Sequence, residues 1–537
     1  MRTVIQSVLL ALLWLSPSCP TISAASHNPS SSEVSDPVFP VSKIKVEQGY
    51  QTTGRGSKNS VLLKITVPAT DAPQQLLSVT VTLKGDTRRN ISSVKIYRSM
   101  QTNFPADAHP TLAGQSSPKS SLLKVPLTGI LTSNSPFYLY ITVDVKAKAT
   151  LGTCLDATIE QMEIGSKTYT LHADPSYAQR VYEVQRFLGM PDTYGSHYYR
   201  IPAMAVAKDG SVIVAYDKRY DNLGDAGSHR IDLVARRSAD GGRTWSDPVT
   251  IAEGKGKGGF SNGFGDPALA VTQKGRIICI SCAGDKNFWS GQKDVAMIYS
   301  DDNGRSWSKP VNITDYHLNN EVDSVKNKLC SSGFFVTSGR GILTADGRVM
   351  FAANYRMKDG RIKEYVIYSD DEGQTWTLDS HLAYMGADES KLVELNDGRL
   401  MVSVRQKGSR GFNITQGRNL HWGTQYRNSQ INGAACNADI LYYDRGRKMM
   451  LHTIPATIPT LQRACLQLLI SNDEGQTWTV ADTLQAGAAS YSTMERLPDG
   501  SLAIFYEDES NGIDNWTLNY ITLTRHQMDV LLRRSRQ

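Results

Sequence analysis

Cysteine is scarce in this sequence, with seven in 537 residues, too few to hold a chain of this length as a disulfide framework. An excess of one charge is missing too. The 58 Lys+Arg and 52 Asp+Glu leave only +6, with no long basic block, so composition excludes a dedicated nucleic-acid binder. The ten His include no His-x-x-x-His pair, which removes the commonest helical zinc pattern. Beyond the first 25 residues no apolar run reaches the ~20 residues of a spanning helix. The glycine-rich GKGKGG at Gly254–Gly259 does not open a helix as a phosphate loop would. No metal and no cofactor is therefore called for. What is present is a 40% hydrophobic fraction, enough for a packed core, and 43 Gly beside 24 Tyr and 8 Trp. That combination points to a turn-rich β protein.

Residues 1–25 read as a secretory signal peptide. Met1-Arg2 gives a basic start, Val8–Leu15 (VLLALLWL) is apolar, and Thr21–Ala25 (TISAA) offers small residues for cleavage. The apolar run is too short to cross a bilayer, and Pro17 and Pro20 follow it. Export is expected, to a secreted, periplasmic or cell-surface location. Cys19 leaves a lipoprotein alternative open, although Ser16 stands where Leu is usual. Cys279 and Cys282 form a Cys-x-x-Cys inside RIICISCAG. Side chains three apart on a strand face opposite sides, so two buried thiols are expected rather than a redox pair.

One phrase recurs in the second two-thirds. It reads SADGGRTW from Ser238, SDDNGRSW from Ser300, SDDEGQTW from Ser369 and SNDEGQTW from Ser471. Each copy follows an apolar alternating run, as a strand followed by a tight turn does. In each turn the Asp can accept backbone hydrogen bonds, the Gly permits positive φ and the Trp plugs the turn onto its neighbours. Further hairpins are signalled by Asp209-Gly210, Asp346-Gly347, Asp397-Gly398 and Asp499-Gly500. Repeated four-stranded units without intervening helices predict a six-bladed β-propeller over 185–530. Residues 27–180 lack the phrase and show Ser/Thr-rich alternating runs, which predicts a separate N-terminal β-sandwich. The boundary falls between His172 and Gly189. The segment RHQMDVLLRRS predicts one short closing helix.

Positions outside the phrase carry the chemistry. Tyr199-Arg200-Ile201-Pro202 resembles the Phe/Tyr-Arg-Ile-Pro motif that opens the propeller of the bacterial sialidase (neuraminidase) family. KRYDNLGD, GFGDPA, DESKLVEL, SVRQ, QRACLQLLIS and YSTME match that family in order, and the resemblance covers residues 190 to 525. It implies an exo-α-sialidase that releases terminal sialic acid from sialylated glycans. The family's arginine triad maps onto Arg200, Arg405 and Arg463, the last supported only by its spacing before Ser471. Three converging guanidinium groups need an anion, and a carboxylate held by charge-assisted hydrogen bonds is such an anion.

The resemblance also assigns Asp225 as acid/base, with Asp221 as a rival in the same loop. Tyr491 becomes the nucleophile and Glu389 its base, with Glu394 and Glu495 as alternatives for that carboxylate that are expected on other strand faces. Sialidases are the exception among retaining glycosidases in using tyrosine. A neutral phenol avoids repulsion with the carboxylate on the anomeric carbon. Arg219 and Asp266 resemble contacts to the sugar's O4 and N-acetyl side. The N-terminal sandwich reads as a carbohydrate-binding module or a spacer. A monomer is expected, with no nucleic acid and no integral membrane span. The rival class is a non-catalytic glycan-binding propeller, distinguished by loss of part of the catalytic set. Trans-sialidase chemistry differs only in which acceptor attacks the intermediate.

Overall fold

The strand Thr479–Arg496 serves two neighbours, and the architecture turns on it. Over residues 479–488 it pairs with Leu461–Ser471, and over 489–496 with Leu502–Asp508, all antiparallel. This computed structural model describes residues 39–49, 52–104, 109–172, 178–227, 229–291, 294–315, 333–357, 359–386, 388–458, 461–508 and 515–535. The expected signal peptide and Cys19 lie outside them. The described chain is all-β apart from short helical segments.

From Tyr198 onward the strands form successive antiparallel runs. The first comprises Tyr198–Val206, Val212–Arg219, Ile231–Ser238 and Val249–Ala252. The second is built on Phe264–Val271, Ile277–Ala283 and Asp294–Ser300, the third on Val349–Arg356 and Ile362–Ser369. The fourth holds Ser390–Glu394, Leu400–Val404, Gly408–Ile414 and Tyr426–Gly433. The fifth runs from Ile440–Asp444 through Met449–Ile458 and Leu461–Ser471 to the shared strand. The sixth continues from that strand through Leu502–Asp508 and Thr517–Leu523, and ends on Val184–Gly189, which comes from before the first run.

Apolar alternation explains the packing. Five hydrophobic clusters lie between consecutive runs, such as Ala205 and Ile213 against Leu269 and Cys279, or Met401 and Phe412 against Ile440 and Leu469. Another joins the sixth run to the first through Phe505, Tyr520, Val214 and Tyr216. Cys279 lies in one of these cores and Cys282 near the cleft described below; both are buried free thiols on opposite faces, as expected. The predicted closing helix is Arg525–Arg534, capped by Thr524 and Gln527, with Met528, Leu531 and Leu532 buried.

The repeated turns share one hydrogen-bond scheme. In the first, Ser238 Oγ donates to Asp240 Oδ1 (2.8 Å), while Asp240 accepts from Thr244 N (2.9 Å) and Thr244 Oγ1 (2.7 Å). Gly242, at φ +92°, packs so closely on the Tyr520 ring that a Cβ would overlap it. Asp302, Asp371 and Asp473 repeat the arrangement.

Ahead of these runs, strands between Lys45 and Tyr182 form two sheets. One has the order Lys45–Gln48, Ser60–Val67, Phe137–Val145, Ile91–Ser99, Thr111–Ser116. The other is built around Cys154–Ile164 and Gln75–Lys84. They meet the fifth and sixth runs through a bidentate pair, Arg180 to Asp482 (2.8 and 2.6 Å), and through Asn519 to Thr52 (2.6 Å).

Candidate active site

The strands that carry several of the predicted site residues kink beside them. Ile201 takes φ +61° beside a register shift at Arg200/Ala203, and Asp266 takes φ +56° beside one at Gly265/Ala268. Cys465, at φ +52°, stands next to another, and Tyr491 lies within the shift between Ala489 and Ser492. Bulges of this kind re-aim side chains, and positive φ at a β-branched residue stores strain that functional sites often hold. The kinks surround a cleft of about 310 Å³, at the low end of small-molecule sites. Arg200, Asp225, Asp266, Glu389, Arg405, Arg463 and Tyr491 all line it. Seven of the eight residues singled out from sequence are thus brought together.

Tyr491 is the centre. The Arg200 and Arg463 guanidinium carbons stand 5.4 and 5.5 Å from its ring centroid. Arg405 Nη1 donates to the phenolic oxygen (3.1 Å) and to Glu389 Oε2 (2.5 Å). Glu389 and Arg405 are set opposite each other because the Arg405 amide donates to the Glu389 carbonyl (2.9 Å), extending the fourth run's inner hairpin. Arg405 Nε also faces Asp388 at 3.2 Å. Burial, and then the Glu389 charge, push the Tyr491 phenol well above its ordinary value, against the pull of Arg405 and Arg463. The resting hydroxyl is therefore protonated at neutral pH.

The three arginines differ in their partners. Arg200 pairs with Glu507 through Nε (2.6 Å) and Nη2 (3.1 Å). Arg405 pairs with Glu389 and Asp388. Arg463 donates to Ser490 Oγ (3.0 Å) and the Ala435 carbonyl (3.1 Å), and among the described residues it has no carboxylate partner. Its charge faces the cleft uncompensated.

Asp225 sits on the loop after Val212–Arg219 and is 64% exposed at its side chain, free to meet a ligand. Arg219, the eighth predicted residue, does not line the cleft. It is fully buried beneath the loop, held by Asp217 (2.7 and 3.1 Å), and donates to the Leu223 and Gly224 carbonyls and to Asp225 Oδ1 (3.3 Å). Burial raises Asp217 to about 6, despite Arg219. Asp266 lines the cleft with its amide on Asp217 Oδ1 (3.1 Å), and burial with Asp225 and Asp217 nearby pushes its carboxyl well up. Glu394 and Glu495 line a different cavity, with Arg340 and Arg445.

Sequence reasoning missed Glu507 and Asp388, and the aromatic side of the cleft formed by Phe288, Trp289 and Phe335. Asp388 was within reach, since it adjoins Glu389 in the quoted DESKLVEL segment. Glu507 had no local signal.

An all-β array of successive strand runs, with an arginine-rich and carboxylate-bearing cleft beside its kinked strands, is the class that fold and site define. The BNR repeat-like domain family matches residues 206–504, more than half of the chain, and the chain belongs to that family. It is 27% identical over 360 residues to a sialidase of Micromonospora viridifaciens, covering 62% of this chain and 52% of that protein. With a sialidase of Bacteroides fragilis the identity is 26% over 403 residues, covering 69% and 71%. The chain thus spans about half the length of the first of these relatives. Among solved structures, the Hadza microbial sialidase Hz136 superposes with a TM-score of 0.63 at 22% identity, covering 89% of this chain and 99% of that one. That likeness concerns the fold.

Proposed function

We propose that the protein is an exo-α-sialidase, a glycoside hydrolase that removes terminal α-linked sialic acid from glycoproteins, glycolipids and oligosaccharides with retention of configuration. The observation that carries this reading is the convergence of Arg200, Arg405 and Arg463 on Tyr491, with Glu389 held on the same Arg405 nitrogen. The substrate carboxylate supplies the anion that Arg463 lacks. Asp225 protonates the departing glycosidic oxygen as the Tyr491 oxygen attacks the anomeric carbon. Glu389 accepts the phenolic proton, which a raised phenol pKa makes necessary. In the second step Asp225, now ionised, takes a proton from water, whose oxygen displaces tyrosine. The tyrosine recovers its proton from Glu389. Asp266 serves the sugar's O4 and N-acetyl side, and Arg219 acts there from below by fixing the loop at Leu223–Asp225.

The same reading takes the six runs as blades of a six-bladed propeller over 185–530. It is supported by six cores that join each run to the next and the last to the first. Residues 27–180 are then a β-sandwich that binds carbohydrate or acts as a spacer, and residues 1–25 direct export. Release of sialic acid from an aryl α-sialoside, lost on Tyr491→Phe, is the test. A purified full chain with no such turnover contradicts the reading.

A further inference from the structure

The strand that follows Glu389 buries an ammonium group that the reaction above does not use. Lys391, on Ser390–Glu394, is 1% exposed. Such a charge is costly without a carboxylate against it. Yet the nearby ion pairs belong to Arg405 with Glu389 and Arg340 with Asp439, and among the described residues Lys391 has no carboxylate partner. Its Nζ donates to Asn437 Oδ1 at 2.6 Å and reaches the Ser390 carbonyl at 3.5 Å. Room for the lysine stem comes from Gly339, at φ +103°, where a Cβ would lie 2.9 Å from Lys391 Cε.

From Lys391 the hydrogen bonds run one way. An ammonium only donates, so Asn437 must turn its carbonyl oxygen toward it. That aims Asn437 Nδ2 at Ser338 Oγ, 2.8 Å away. Having accepted there, Ser338 has one proton left, and Glu389 Oε1 stands 3.3 Å from its oxygen. Glu389 Oε2 is already taken by Arg405. Both carboxylate oxygens therefore accept, which fixes the plane of the carboxylate. Ser338, Asn437 and Glu389 are all buried.

We propose that Lys391, Asn437 and Ser338 form a positioning relay that orients the Glu389 carboxylate to receive the Tyr491 proton; this rests on the reading of Glu389 and Tyr491 as base and nucleophile. Other charges also face Glu389: Arg405 and Asp388 beside it, Tyr491 on the shared strand, Asp266 on the second run and Glu364 on the third. Arg410 stands behind it, and Asp439 and Arg340 face Lys391 from the other side. Burial lowers Lys391 to about 8, with Asp439 and Glu389 opposing, so it is mainly charged at neutral pH. Without the relay the Glu389 carboxylate loses its second donor, and the acidic limb of kcat/KM moves to higher pH.

The experiment is the pH profile of aryl sialoside cleavage by the full chain and by Ser338→Ala, Ser338→Thr and Lys391→Met. In Ser338→Ala and Lys391→Met the acidic limb rises by about one pH unit. Ser338→Thr, which keeps the hydroxyl, restores it, and KM at neutral pH hardly changes. An unmoved limb in folded Ser338→Ala, or a raised KM with an unmoved limb, overturns the relay, and this variant decides even if Lys391→Met does not fold. Infrared difference spectra give a readout without turnover. The protonated carboxyl band that Glu389→Gln removes should appear at higher pH in Ser338→Ala than in the parent. Appearance at the same pH overturns the relay. An inactive parent overturns the sialidase reading instead, while the infrared comparison still decides the relay.

Discussion

Glu507 closes on Arg200 with both carboxylate oxygens, 2.6 Å to Nε and 3.1 Å to Nη2, and also accepts from the backbone amides of Ile201 (2.8 Å) and Tyr491 (3.2 Å). One fully buried carboxylate thus ties a cleft arginine to the kink at Ile201 and to the strand bearing the phenol. Glu507→Ala leaves a buried guanidinium and two amides unpaired. It should cost about 3 kcal/mol or more in urea unfolding and raise KM for a sialoside.

The same group gives a pH signature. Burial opposes ionisation of Glu507, but Arg200 and the two amides outweigh it and hold the carboxyl below its ordinary value. A depressed folded pKa stabilises at pH above the unfolded value, and that stabilisation is lost as pH falls through the folded one. Below about pH 4, the ordinary carboxylate range, the parent should lose stability more steeply than Glu507→Gln. Urea midpoints measured between neutral and acid pH check this, and parallel slopes would remove Glu507 from the acid response.

Arg463 and Arg405 should respond differently to truncation. Arg463→Ala leaves no carboxylate stranded, so it should weaken a dehydrated sialic acid analogue tenfold to about a hundredfold with little change in melting temperature. Arg405→Ala strands Glu389 and Asp388 and should lose both inhibitor affinity and stability. Equal melting losses in the two variants would contradict the unequal pairing.

Tyr491→Phe and Asp225→Ala should each cut aryl sialoside turnover by orders of magnitude, while circular dichroism stays that of the parent. Near-parental turnover in either would remove that residue from its role.

The repeated turns make the opposite prediction. Asp473 accepts from Thr477 N (2.9 Å), Thr477 Oγ1 (2.5 Å) and Ser471 Oγ (2.7 Å), away from the cleft. Asp473→Ala should cost about 1–3 kcal/mol of stability with kcat unchanged. A fall in kcat at full folding would give the turn a catalytic part.

Legibility in the sequence followed distance along the chain. The turns at Ser238, Ser300, Ser369 and Ser471 and the Asp-Gly hairpins are local, and their strands were read from alternation. Arg200, Glu389, Arg405 and Tyr491 stand in short motifs with a recognisable order. Glu507 was hidden because its partner Arg200 lies in the first run and it lies in the sixth, 307 positions apart in sequence and neighbours only once the last run packs on the first. Ser338 and Asn437 were hidden likewise, being loop-edge residues that meet Glu389 and Lys391 from two other runs. Arg219 was read as a sugar contact from the family resemblance. Its burial follows from Asp217, two residues back on the same face of the strand, which draws the guanidinium beneath the loop.

Proton NMR of sialic acid as it leaves an aryl α-sialoside tests the central claim most directly. Double displacement through Tyr491 predicts that the α anomer appears first and then mutarotates to β. The β anomer appearing first, or no release at all, would contradict it.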